Sequence, residues 1–104
     1  MTGWKVVEGM NYKEFDWDED KYNENLKKHK ITFEEASTAF EDTDALILYD
    51  NLHSYDEDRF VIIGFSEQER MLFVSHCYRD EDVIRIISAR KATRAEHKKY
   101  HAQF

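Results

Sequence analysis

At 104 residues the chain has room for one domain and one modest core, and its 41% hydrophobic and 14% aromatic content excludes a disordered chain. Its longest apolar stretches, such as residues 60–65, are too short to cross a bilayer, no apolar run follows a basic patch at the N-terminus, and the lone Cys77 excludes an internal disulfide. The net charge of −7 is uneven, with 6 Lys/Arg against 16 Asp/Glu in residues 1–58 and 9 against 6 in residues 59–104.

Residues 1–12 read as a leader of uncertain order, ahead of a single domain over residues 13–104. Residues 13–17 alternate weakly and are expected to form a short edge strand. Asp18 opens an acidic first turn, so a helix should run to about His29, with Tyr22 and Leu26 on one face and Lys27 and Lys28 at its negative end. Thr32-Phe33-Glu34-Glu35 fits a capping box, and Phe33, Ala36 and Phe40 repeat at helical spacing until Asp42-Thr43-Asp44. Four runs with strand character follow, at residues 45–49, 59–65, 70–78 and 83–90. Thr93-Arg94-Ala95-Glu96 is a second capping box, which predicts a last helix over about 92–102. The order is (β)ααββββα, an α+β fold. The short gaps between the later strands require an antiparallel meander packed by helices, because parallel neighbours need long crossovers.

Even-numbered turns centred on Glu67-Gln68 and Asp80-Glu81 would set Arg59 opposite His76, and His76 opposite Arg85. Val61, Val74 and Ile87 would form the next row on that side, with Phe60, Ile62, Phe73, Cys77, Ile84 and Ile86 on the other face. An odd turn would break this register and move one strand's side chains across the sheet. Two arginines flanking a histidine suit metal-independent RNA cleavage. Arg59 and Arg85 would fork onto the phosphate, and His76 would transfer protons. The same row also reads as the end of a sheet, exposed to water or paired with Asp56, Glu57 or Asp58.

Other candidates stand apart in sequence. Lys28 and His29 belong to a basic cluster that either balances the helix dipole or touches RNA. His53 lies in an acidic loop, as a mobile residue or a proton donor. Tyr100 reads as a core-edge aromatic or an acid. His97 and His101 have a metal-compatible spacing, but nothing in the sequence completes a site, so no metal or cofactor is expected. Any RNA contact is expected on the C-terminal half, and a basic partner on the acidic half.

Phe15-Asp16-Trp17-Asp18, Asn25-Leu26-Lys27-Lys28-His29, Phe33-Glu34-Glu35-Ala36, His53-Ser54, Glu57-Asp58-Arg59, Ile63-Gly64 and Arg85-Ile86-Ile87-Ser88-Ala89-Arg90 follow one another in the order of the BrnT toxin family. Together with Ala92-Thr93-Arg94 and Tyr100, the sequence resembles that family over nearly its whole length. The resemblance implies a RelE-like, barnase-like fold and a cytoplasmic endoribonuclease that arrests growth by cleaving RNA. It also implies neutralisation by a BrnA-type antitoxin, with operator DNA bound only through the complex. Matched to the family, Lys28, His29, Arg59, Arg85, Arg90 and Tyr100 are the residues of interest. Lys30 departs from the pattern, standing where the family usually has Gly. The alternative is a non-catalytic protein that only captures its antitoxin.

Overall fold

The computed structural model describes residues 14–80 and 82–104. The expected leader, Lys13 of the first strand and Glu81 of the last turn lie outside the described residues. Strand β1 (Glu14–Asp16) leads into helix α1 (Glu19–His29). There the Asp18 carboxylate accepts from the Lys21 N–H at 3.0 Å, satisfying one of the free donors of the first turn. Lys27, Lys28 and His29 sit at the opposite, negative end of the helix dipole. The helix ends on Lys30, whose φ of 61° lets its N–H reach the Leu26 carbonyl. That left-handed conformation is one glycine adopts without steric cost, which accounts for the Gly expected here.

Helix α2 (Phe33–Thr38) is short and tightens into a 3₁₀ turn, Ala39–Glu41, that carries Phe40. Its capping box is only half formed. The Thr32 hydroxyl takes the Glu35 N–H, but the Glu35 carboxylate turns away to Ser66 and Arg70. Strands β2 (Leu46–Tyr49), β3 (Phe60–Phe65), β4 (Met71–Asp80) and β5 (Val83–Lys91) follow, and helix α3 (Arg94–His101) closes the chain with a complete capping box at Thr93 and Glu96.

The sheet order is β1-β5-β4-β3-β2. Strands β2 to β5 form the expected meander, while β1 lies parallel to β5, the long crossover being made by the helices and the other strands. Phe33 and Ala36 of α2 pack with Ile62, Leu72, Val74, Ile84, Ile86 and Ala89 to fill the core under one face. On the other face Tyr100 of α3 packs with Ile63 and Met71, covering one end and leaving the rest open. At Gly64 a Cβ would stand 3.0 Å from the Ala39 carbonyl oxygen, so only glycine lets the 3₁₀ turn lie this close to β3.

The register departs from expectation at three points. The β3–β4 turn is closed by Ser66 and Arg70, leaving three loop residues with Glu69 at φ 61°. A type I turn followed by one left-handed residue is the standard three-residue hairpin, and its odd length pairs His76 with Phe60 instead of Arg59. The second departure is at the turn end of β4 and β5, where Asp80 faces Val83 but Tyr78 faces Ile84, a shift that sets His76 opposite Ile86 instead of Arg85. The third is a bulge in β5, where Ser75 faces Ser88 and Ile87 is the extra residue. The row Arg59–His76–Arg85 therefore does not form. By strand alternation Arg59, Cys77 and Arg85 share the open face, with Phe73, and His76 points into the helix-covered core.

Candidate active site

The open face forms a cleft of about 590 Å³, lined by Leu48, Val61, Phe73, Ser75, Ile87, Ser88 and Arg90 and by residues of the loop after β2. Its size is that of a small-ligand or nucleotide site. A second recess of about 210 Å³ shares Ile87 and Ser88 with it and adds Lys21, Glu24, Lys28 and His29 from α1. The bulge at Ile87 thus stands between the two depressions as their shared wall.

Loop residues 50–58 bring His53 and Arg59 to the cleft. The Asp50 N–H donates to the Arg59 carbonyl at 2.8 Å, and the Ser54 hydroxyl links the Asp50 carbonyl to the Arg59 N–H, closing the loop on itself. Asp50 also accepts from the Leu52 N–H through Oδ1, while its Oδ2 lies 2.9 Å from His53 Nδ1. The His53 side chain is 62% exposed, so the carboxylate fixes Nδ1 and leaves Nε2 to the cleft. Arg59 is half-buried, and among the described residues no carboxylate or carbonyl holds its guanidinium.

Arg90 is held differently. Both terminal nitrogens donate to Glu96, at 2.8 and 2.9 Å, and the guanidinium lies 4.0 Å over the Phe73 ring. Arg85 donates twice to Asp16, at 3.0 and 3.2 Å, and so locks β1 to β5 beside the cleft. Lys28 is exposed at the rim of the second recess. His29 next to it is half-buried, and burial first, then the Lys28 and Arg90 charges, hold its imidazole below the ordinary histidine range. At neutral pH it is a neutral ring.

Two sequence candidates lie away from the cleft. His76 is fully buried among Phe40, Phe60 and Tyr78. Its Nδ1 faces the Val74 carbonyl at 3.1 Å, which can only accept, so Nδ1 carries the proton and Nε2 accepts from the Tyr78 hydroxyl. Tyr100 is 4% exposed, and its hydroxyl donates to Asp42 at 2.8 Å. Burial and that carboxylate push it up to about 12. The structure therefore gathers His53, Arg59 and Arg90 around the cleft, places Lys28 and His29 at the neighbouring recess, holds Arg85 on Asp16 outside both linings, and separates His76 and Tyr100 from them.

Sequence reasoning overlooked two residues. Asn25 is buried, donates to the Ile31 and Ala89 carbonyls at 3.1 and 2.9 Å, and accepts from the Ala89 N–H at 3.0 Å. It serves β5 as a missing neighbouring strand would, and it fixes Lys28 and His29 over Ser88. Asn25 stands one residue before Leu26, on the buried side of an otherwise polar helix, and that was its signal. Asp50 was visible as an acid three residues before a loop histidine. Among the described residues no group of three or more His, Cys, Asp or Glu is placed to hold a metal, and no helix is long and apolar enough to cross a membrane.

No curated protein matches the chain. Its fold is similar to that of the ribonuclease toxin BrnT of Brucella abortus in its crystal structure, with a TM-score of 0.57 and 22% identity, covering 75% of this chain and 94% of that one. Residues 17–96 match the family described as the ribonuclease toxin, BrnT, of type II toxin–antitoxin systems. The chain belongs to the BrnT family.

Proposed function

We propose that this protein is the endoribonuclease toxin of a type II toxin–antitoxin pair, cleaving RNA in the cytoplasm without a metal, in the cleft between loop 50–58 and the β5 bulge. The single observation that supports this reading is the free, half-buried Arg59 guanidinium sharing the cleft with a histidine held by a carboxylate. Cleavage by an internal 2′-hydroxyl needs a group to take its proton and positive charge on the five-coordinate phosphorus. Nε2 of His53 takes the proton as the 2′-oxygen bonds to phosphorus, while Asp50 keeps the ring oriented and stabilises the imidazolium that forms. The 5′-oxygen released as the P–O5′ bond breaks takes its proton from solvent water. Arg59 forks onto the phosphate oxygens. Lys28 and His29 flank the path of the strand along the second recess. Arg85 acts as a positioning group through Asp16, and His76 and Tyr100 support the fold. The kinship with RelE-like and barnase-like ribonucleases belongs to the same proposal.

A basic, DNA-binding antitoxin of the BrnA type would neutralise the toxin, and only the pair would reach operator DNA. The 16 acidic residues among the first 58 favour such a partner. They also favour a second reading, in which the chain captures its antitoxin without cleaving RNA. Tightly induced expression without antitoxin separates the two. The nuclease reading expects growth arrest and RNA fragments, unaffected by chelator in vitro, with activity falling about 10²- to 10³-fold in Arg59→Ala. A folded protein that binds its partner and leaves RNA and growth intact establishes the second reading.

A further inference from the structure

Resting on the ribonuclease reading, we infer that Arg90, laid on Phe73 and clamped by Glu96, is a stacking plate for a purine base of single-stranded RNA, and that it sets which nucleotide lies beside the cleaved bond. The arginine is poorly suited to hold phosphate. Both terminal nitrogens donate to the Glu96 carboxylate, at 2.8 and 2.9 Å, and NH1 also reaches the Lys91 carbonyl. The charge is compensated and the fork is filled.

What remains is the flat face. Phe73 and Arg90 are direct cross-strand partners, which places the guanidinium over the ring at 4.0 Å. One face of the plane is against Phe73 and the fork edge is against Glu96, yet the side chain keeps 34% of its exposure and lines the cleft. A rigid, weakly hydrated planar cation is a platform on which unpaired bases stack, and purines offer the larger π surface.

The neighbouring positions supply groups that can read the base edge. Ser75 and Ser88 are also cross-strand partners, two residues from Phe73 and Arg90, and both line the cleft. Among the described residues neither hydroxyl has a hydrogen-bond partner. A base on the plate would have hydroxyl donors and acceptors beside it, with Arg59 and His53 further along the same cleft.

The test uses the full chain and short single-stranded oligonucleotides with 2′-O-methyl sugars, which cannot be cleaved, carrying 2-aminopurine at successive positions. Wild-type protein should quench one position at least 3-fold. Arg90→Lys keeps the charge and removes the plane. It should weaken oligonucleotide binding by about 5-fold or more, lose the quench and cleave unmodified RNA with a flattened base preference. Glu96→Gln, which keeps an acceptor for the α3 cap, should retain the quench. If Arg90→Lys keeps both quench and preference, or if no position is quenched although the oligonucleotide binds, the plate is refuted. In Arg90→Gln, which removes the charge, a salt dependence reduced by one phosphate contact would also overturn it in favour of a phosphate contact. If no oligonucleotide binds, the ribonuclease reading falls as well.

Discussion

His76 shows how burial assigns a role to a single side chain. Desolvation lowers its pKa from 6.5 to about 4, because no carboxylate faces the ring and the core holds only its neutral form. Between those two values the unfolded chain takes up a proton that the folded chain refuses. Stability is therefore fully present above pH 6.5 and falls as the pH drops toward 4. The 2.5-unit gap corresponds to a loss on the order of 3 kcal/mol. Urea midpoints of wild type and His76→Phe between pH 7 and pH 4 measure it directly. The wild type should lose stability across this range, and the variant should show a much flatter profile. Equal pH dependence in the two proteins would mean that the ring is not excluded from water. His53, 62% exposed beside Asp50, has the opposite surroundings, and it is the histidine that the proposal uses.

The hairpin of β3 and β4 is tied to α2 by Glu35. Desolvation raises this carboxyl, but hydrogen bonds from Arg70 and Ser66 together with the Arg70 charge outweigh it, and the net shift is downward. The pair's contribution is thus present above the ordinary carboxyl value and lost as the pH falls below it. Arg70→Ala leaves the carboxylate 2% exposed and uncompensated, which should cost roughly 2–4 kcal/mol at pH 7, a range discounted because Arg70 is itself 33% exposed. Without the arginine the buried Glu35 prefers its proton, so the penalty should shrink at pH 5. A penalty that does not change with pH would count against a buried charge.

This hairpin also marks where the sequence stops being readable. Capping residues announced α1 and α3, and β-branched runs announced β2 to β5, because those signals are local. The parity of the turn is set by a left-handed residue. Gly or Asn would have advertised it, but the position holds Glu69, just as Lys30 occupies the left-handed end of α1. The bulge at Ile87 likewise carries no glycine to flag it. The odd β3–β4 turn moved His76 away from Arg59, and the shift between Tyr78 and Asp80 moved it away from Arg85. The candidate groups Lys28, His29, Arg59 and Arg90 were legible as residues, but their meeting across the bulge depends on Asn25 pairing with the β5 backbone, a contact 64 residues apart in sequence.

Charge is arranged over the whole molecule so that its two kinds of proposed partner experience opposite fields. The net charge is −7, and Asp and Glu outnumber Lys and Arg by 16 to 6 before residue 59, yet Lys28, Arg59 and Arg90 collect at the cleft and its neighbouring recess. RNA approaching from a distance meets net repulsion, and a basic antitoxin meets attraction, both reaching about 10 Å at 0.1 M salt. Raising salt from about 20 to about 150 mM should therefore speed RNA association, by roughly 2- to 5-fold, while slowing antitoxin association by a similar or larger factor. RNA affinity itself should fall gently, because few phosphates are contacted, and Arg59→Ala should reduce the logarithmic slope by about 0.7. Stopped-flow mixing with a non-cleavable oligonucleotide and with the antitoxin gives both rates on one protein preparation. An RNA association rate that falls steeply with salt would show that the strand is drawn in by a basic surface, and the cleft, with its few free cations, would not be where RNA lands.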